Sequence, residues 1–361
     1  MSARRVIWLL VAGVGVIAFA IWLSSLRHLE RATLGGDLVL PGLEQAVNTI
    51  TEIRLRKGDG THTTLTKGPN EWSVTERAWP AARDKVRRLL LDLGTLNVVE
   101  EKTRLPANYA ALGVEDVSSA KATGTQVDLI APGHTWALVL GKPSGAKSGY
   151  VRLANSAQSL LAAPLVSADA APKSWLDSAL IDLPAERVRE IQERPAEGAG
   201  FVAVRQKKED AHFNVVPVPK GRELSGAGAA DTLGAALSGL TLEDVAKAGA
   251  ADPKSPHAFF RTFDGLEVEA IGRKDGTHAL LVLSARGTTS ESGLEAQRLN
   301  TRFSGWEFEI PDYKYAAIFT PVTDLLKPLP QPPPKPAKPA KPGKGNGTKS
   351  ATTAPASAPG Q

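Results

Sequence analysis

The chain of 361 residues carries no cysteine, 26 prolines, 33 glycines and a formal net charge of +5. The missing cysteines exclude disulfides, thiol catalysis and cysteine-ligated metals, and the length is enough for two domains of about 150 residues. Five lysines beyond residue 327, and four arginines offset by Glu30 ahead of residue 32, leave residues 32–327 at a net charge of −3, so the charge balance argues for no nucleic-acid partner.

Residues 6–23 form one charge-free apolar run. With Ser24 to Leu26 added, a helix over residues 6–26 reaches across the roughly 30 Å hydrocarbon core at about 1.5 Å per residue. Trp8 and Trp22 stand near its ends, where indole rings favour the interface. Arg4 and Arg5 on one side, against Arg27, Glu30 and Arg31 on the other, favour a cytoplasmic N-terminus by a small margin. The run exceeds the ~7–15 residues of a signal-peptide core, and Ser24-Ser25-Leu26-Arg27-His28 is a poor cleavage site. The expectation is an uncleaved anchor over residues 1–31 in a bacterial inner membrane, single-pass, with a periplasmic ectodomain.

A first α+β unit is expected over residues 32–184. Ile50-Thr51-Glu52-Ile53-Arg54-Leu55 alternates with the period of a half-buried strand. A turn at Lys57-Gly58-Asp59-Gly60 leads to a second strand ending near Leu65, and Glu71-Trp72-Ser73-Val74 makes a third. Pro80 introduces a helix over residues 82–93, with Val86, Leu89, Leu90 and Leu93 at helical spacing and Gly94 as its stop. Val127-Asp128-Leu129-Ile130 and Trp136-Ala137-Leu138-Val139-Leu140 flank Pro132-Gly133 as a hairpin.

A second unit over residues 185–327 repeats this order. Val188-Arg189-Glu190-Ile191 matches the opening strand, and His212-Phe213-Asn214-Val215 matches the third, with Phe213 in place of Trp72. A helix is expected over residues 229–240 with Leu233, Ala236, Leu237 and Leu240 inward. Val268-Glu269-Ala270-Ile271 and His278-Ala279-Leu280-Leu281-Val282-Leu283, around Lys274-Asp275-Gly276, are matched to the last hairpin of the first unit. Residues 328–361 place proline at every second or third position in their first part and hold almost nothing apolar to bury, so an extended, disordered tail is expected.

The pattern resembles the domain-of-unknown-function family 4340 of bacterial membrane-anchored proteins. The likeness is carried by the anchor, Leu40-Pro41-Gly42-Leu43, Ile50-Thr51-Glu52-Ile53, Glu71-Trp72-Ser73-Val74, Tyr109-Ala110-Ala111-Leu112-Gly113-Val114, Gly149-Tyr150-Val151-Arg152, Trp175-Leu176-Asp177 and Leu180-Ile181-Asp182-Leu183-Pro184. It covers roughly residues 38–320. The family has no agreed activity; its setting, similar to that of auxiliary proteins of gliding-type ABC transport systems, implies an accessory role beside a transporter. The proline-lysine tail is not part of the family pattern.

Catalytic signals are thin. The six histidines show no HxH or HExxH spacing, and His134 and His278, each beside an expected hairpin turn, stand near no convincing acid or nucleophile in sequence and offer no triad. Gly226-Ala227-Gly228 precedes a helix but lacks the rest of a dinucleotide fingerprint, because Asp231 stands where a glycine is needed; a helix start around Ser225 is the better reading. Glu100-Glu101 and Glu115-Asp116 are adjacent acids, which point to opposite faces of a strand and make poor acid–base pairs. Of the aromatic residues, Trp72, Trp136, Trp175 and Trp306 read as core, while Trp79 before Pro80 and Tyr109 in a loop are expected to be exposed and are the candidate partner- or ligand-contact residues.

The sequence therefore predicts an α+β protein: a transmembrane helix, two similar units of mainly antiparallel sheet with a packed helix, and a disordered tail. No catalytic residue, cofactor or metal is assigned. The expected function is a non-catalytic envelope ectodomain that binds a membrane complex, an ABC-type transporter above all. The alternatives are an ectodomain that binds a glycan or peptide and, less favoured, an envelope hydrolase whose turnover would depend on His134, His278 or the acidic pairs.

Overall fold

The computed structural model describes residues 36–250 and 252–328. The anchor expected over residues 6–26 and the tail beyond residue 328 lie outside the described residues. Among the described residues no helix is long and apolar enough to cross a membrane.

β1 (Glu52–Lys57) and β2 (His62–Lys67) form a hairpin, continued outward by β3 (Trp72–Val74) and β4 (Trp79–Pro80). Ile53, Leu55, Leu65 and Val74 are fully buried while Arg54, Arg56 and Thr66 face outward, so the alternation sorts one side of each strand to the core. Helix α1 (Arg83–Gly94) turns Val86, Leu89, Leu90 and Leu93 inward. Then come β5 (Asn97–Glu101), β6 (Thr125–Ala131), β7 (His134–Ser144), β8 (Ser148–Leu153) and β9 (Ser159–Ala163). Together they make a nine-stranded antiparallel sheet in the order β4-β3-β2-β1-β6-β7-β8-β9-β5. The β6–β7 turn is Pro132-Gly133, where Gly133 takes φ 79°, the left-handed value a proline-led turn needs at that position. A short strand, β10 (Ala179–Ile181), then leads out of the unit.

The second unit builds β11 (Val188–Arg194), β12 (Phe201–Val204), β13 (Asn214–Val216), β14 (Leu240–Thr241), β15 (Asp244–Lys247), β16 (His257–Thr262), β17 (Leu266–Asp275), β18 (His278–Gly287) and β19 (Trp306–Ile310). All but β14 join an eight-stranded antiparallel sheet ordered β13-β12-β11-β16-β17-β18-β19-β15. This is the order of the first sheet, strand for strand, without a counterpart of β4. The register agrees as well. Val74, Leu65, Ile53 and Leu129 line up across the first sheet, as Val215, Ala203, Ile191 and Phe260 do across the second. The two-sheet arrangement fits an internal repeat, and Trp72 and Phe213 hold matching positions two residues before Val74 and Val215.

Two expectations are corrected. The hairpin of Val268 and His278 is β17–β18, whereas its expected counterpart is β6–β7; by strand order β17 and β18 answer to β7 and β8. Successive strands of an antiparallel meander share one alternation, so the pattern is blind to a shift of one strand, and only the pairing partner separates them. The helix expected over residues 229–240 is a single turn, Asp231–Gly234, followed by further turns. Its backbone bonds reach back three residues, as in Leu233 N–H to Ala230 O and Ala236 N–H to Leu233 O, and Gly239 at φ 54° reverses the chain. Leu233 and Ala236, then Leu237 and Leu240, stand three apart, so successive tight turns keep all four inward without a continued helix.

The longest helix of the second unit stands elsewhere. α2 (Ser290–Phe303) lies across β18, and α3 (Asp312–Ile318) follows β19. Gly287 of β18 makes the approach of α2 possible, since a Cβ there would lie 2.2 Å from the Gly293 nitrogen. One apolar cluster runs from Val39 to Leu325 through both units. They are joined further by β10, which pairs with β14.

Candidate functional site

Trp79 is where the units meet. Its indole packs edge-on against Trp306 and Phe308 of β19, both at 5.4 Å between ring centroids, and donates from Nε1 to the Asp177 carbonyl at 2.9 Å. The Arg302 guanidinium lies 4.9 Å from the ring and binds the Asp177 carboxylate at 2.9 Å. Trp79 is only 2 % exposed, so the expectation of an exposed contact residue is corrected. The segment that makes Trp79 prominent in sequence folds under the second sheet, where burying an indole against two aromatic rings outweighs keeping it in water.

Tyr109 is corrected in the same way, at 7 % exposed. Its hydroxyl donates to the Ala157 carbonyl and its ring carries the Arg152 guanidinium at 4.9 Å. Buried Arg152 in turn donates to the carbonyls of Val114 and Ser156 at 2.8 and 3.0 Å and to the Asp116 carboxylate at 2.6 Å. The motifs Tyr109 to Val114 and Gly149 to Arg152, far apart in the chain, form one structural clamp that ties the loop ahead of β6 to the end of β8.

Directly above Trp79 the structure opens a cleft of about 410 Å³ between the β3–β4 turn of the first unit and β15 and β19 of the second. Arg77 crosses its mouth and grips Asp244 with two parallel hydrogen bonds, 2.7 and 2.8 Å, a geometry suited to a guanidinium and a carboxylate. Burial works to raise the Asp244 pKa, but the hydrogen bonds from Arg77 and the Val245 amide and the charges of Arg77 and Lys173 outweigh it and hold the carboxyl below its ordinary value. Beside Arg77, Ala78 takes φ 49°, the one left-handed non-glycine among the described residues, in a turn closed by Arg77 N–H to Val74 O and Ala78 N–H to Thr75 O. On the opposite wall the Lys247 ammonium sits 3.4 Å above the Trp306 ring. Glu309 holds the Nδ1 of His278 at 2.6 Å and Glu307 holds Arg273 at 2.7 Å. The Glu309 hydrogen bond, then its charge, raises the His278 pKa above its ordinary 6.5.

The cleft gathers residues that sequence reasoning did not single out, namely Arg77, Ala78, Asp244 and Lys247, together with Trp306, which it assigned to the core. No local pattern marks them, because the cleft is made by two segments more than 160 residues apart, as in the Arg77–Asp244 pair. His134 does not line it; its ring packs 4.2 Å from Trp136, and it and His278 stand on strands that are not counterparts. Glu100 and Glu101 pair with Lys102 and Arg104, and Asp116 belongs to the Arg152 clamp. Asp231 accepts from the Phe213 amide and meets His212 at 2.7 Å, so the Gly226-Ala227-Gly228 stretch serves a local turn. Among the described residues no cluster of three or more His, Asp or Glu side chains is placed to hold a metal ion.

The model of one protein family, Domain of unknown function (DUF4340), matches residues 72–259. The chain belongs to this family. The DUF4340 match is narrower than the resemblance over residues 38–320, starting in β3 and ending in β16. It takes in Arg77, Trp79, Asp244 and Lys247 and so includes both sides of the junction, while Trp306 lies beyond it. No curated protein and no solved structure matches the chain.

Proposed function

We propose that this DUF4340 chain is a non-catalytic binding protein of the bacterial envelope, tethered through residues 6–26, and that the junction cleft is where it engages a protein partner beside an ABC-type transporter. The observation that carries the reading is the cleft itself. Its walls come from both units, the Arg77–Asp244 pair bridges them, and the buried Trp79 fixes their spacing. A surface assembled in this way is preorganised, which lowers the ordering cost of association. The mixed charges along it are suited to selecting one partner over another. The apolar run at the N-terminus and the setting implied by the family resemblance support the location.

Affinity purification of the full-length protein from crosslinked membranes tests this. Transporter subunits recovered in fixed ratio, and lost from an Arg77→Glu variant that still folds, support the reading. Recovery of no membrane-embedded partner counts against it and moves the cleft to the second reading, a site for a glycan or peptide. The volume of about 410 Å³ and the Trp306 face within it favour that second use.

A further inference from the structure

Unpaired strand edges invite another strand, and this molecule treats its edges unequally. In the first sheet both edges are covered by extended chain. Outside β5, the Val39 amide donates to the Leu96 carbonyl at 2.8 Å and the Val98 amide to the Asp37 carbonyl at 2.9 Å, with Leu38 opposite Asn97. Beyond β4, Ala81 pairs with Leu176, and the Asp177 amide donates to the Pro80 carbonyl. In the second sheet β13 is three residues long and runs into Pro217, which has no N–H to offer. The other edge, β15, is the counterpart of β5 by strand order, yet no extended segment covers it among the described residues. That bare edge lines the junction cleft.

The ladder shows which groups are free. The Ala248 amide donates to Gly305, and Ala246 stands opposite Glu307, so residues 246 and 248 turn their backbone toward β19. Residues 245 and 247 therefore turn theirs away, into the cleft. The Val245 amide is taken by the Asp244 carboxylate at 2.8 Å, which leaves the Val245 carbonyl and both backbone groups of Lys247. Of the acids lining the cleft, Asp244 is held by Arg77, Glu307 by Arg273 and Glu309 by His278, which leaves Glu76 without a cationic partner among the described residues. Oε2 of Glu76 is buried without a hydrogen-bond partner.

We propose that β15 accepts an extended, basic peptide segment of the partner as an added antiparallel or parallel strand, the place that residues 37–39 fill on the first sheet. The inference rests on the partner-binding reading above. Main-chain hydrogen bonds to Val245 and Lys247 supply register, and Glu76, with an oxygen free to accept, selects a lysine or arginine beside it.

The test uses the full-length protein in lipid nanodiscs and a displayed library of random linear peptides. Binders are expected to share a lysine or arginine at one position of an extended segment. A synthetic binder should weaken about tenfold or more against Lys247→Pro, which removes the outward amide, and hold its affinity against Lys247→Gln, which keeps it. N-methylation of the peptide at every second residue should abolish binding in one frame and spare it in the other, a readout that needs no protein variant. A library that yields no binder overturns the proposal, as do binders indifferent to Lys247→Pro and to N-methylation. A chain that dimerises through this edge, with the dimer lost in Lys247→Pro, also overturns it by making a second copy the occupant. Membrane purification without a protein partner removes the partner-binding reading itself, whereas indifferent binders remove only the added strand.

Discussion

Glu193 sits on the core side of β11, between Phe201 of β12 and Ala258 of β16, and is 3 % exposed. Oε1 has no hydrogen-bond partner, and burial pushes its pKa up from 4.5 to about 9. The folded protein thus binds a proton that the unfolded chain has released between those values. The contribution of Glu193 to stability is greatest below pH 4.5 and falls as the pH climbs toward 9; by pH 7 that loss is about 3 kcal/mol at ~1.36 kcal/mol per unit. Glu193→Gln is expected to gain about 2 kcal/mol at pH 8 and to flatten this dependence. Urea unfolding of parent and variant at pH 5 and pH 8 checks it, and an unchanged difference between the two pH values would count against the buried acid. His278 behaves in the same sense, although here the protonated form is the charged one. Glu309 stabilises its charged form, so its contribution is present at low pH and disappears as the pH passes its raised pKa. An NMR titration should place His278 above 6.5, and Glu309→Gln should bring it back. Neither partner is recoverable from sequence, since Glu309 stands on a different strand from His278 and the neighbours that bury Glu193 stand on β12 and β16.

The elements differ in how far local sequence specifies them. Helix α1 was legible because Val86, Leu89, Leu90 and Leu93 make a broad apolar stripe. α2 was not, although its inward residues Ser292, Ala296 and Phe303 keep helical spacing, because serine and alanine carry little hydrophobic signal. What defines α2 is its start. Thr289 accepts from the Ser292 amide while the Ser292 hydroxyl accepts from the Thr289 amide, a reciprocal cap. Thr289→Ala should cost about 1 kcal/mol and speed hydrogen exchange in the first turn of α2, while Thr289→Ser should be close to neutral. Equal exchange in all three proteins would show that packing on β18, through Gly287 and Gly293, holds the helix without the cap. The turn-by-turn path over residues 229–240 carries the same lesson in reverse: an inward spacing of three is shared by helices and successive tight turns, and the chain reversal at Gly239 decides between them.

At the scale of the molecule the two sheets share one apolar cluster, so they are expected to unfold together. Trp79 is the wedge that couples them. Trp79→Ala removes two edge-on aromatic contacts and the bond to Asp177, and should cost about 3–5 kcal/mol. The loss is expected to fall on the coupling, so that a single denaturation curve becomes two resolved steps when tryptophan fluorescence and circular dichroism are compared. A variant that stays a single coincident transition would place the coupling in β10–β14 instead. Tyr109→Phe, by contrast, removes one hydrogen bond inside the first unit and should lower stability by about 1 kcal/mol without splitting the transition. Of the two aromatics chosen as exposed, Trp79 thus supports the cleft from beneath while Tyr109 braces the first unit, and the cleft is lined by charged and small residues together with Trp306.

Sequence alone determined whatever depends on near neighbours in the chain. The period-two strands, the first helix, the Pro132-Gly133 hairpin, the doubling of the α+β unit and the family likeness were all readable, because alternation, helical spacing and turn chemistry act over a few residues. Tertiary structure decided the rest. It set which strands are counterparts, since identical alternation cannot count strands. It buried Trp79 and Tyr109, since exposure depends on what another segment brings to cover a side chain. It also assembled the cleft, where Arg77 meets Asp244 only because β10 pairs with β14 and the shared core holds the two sheets together.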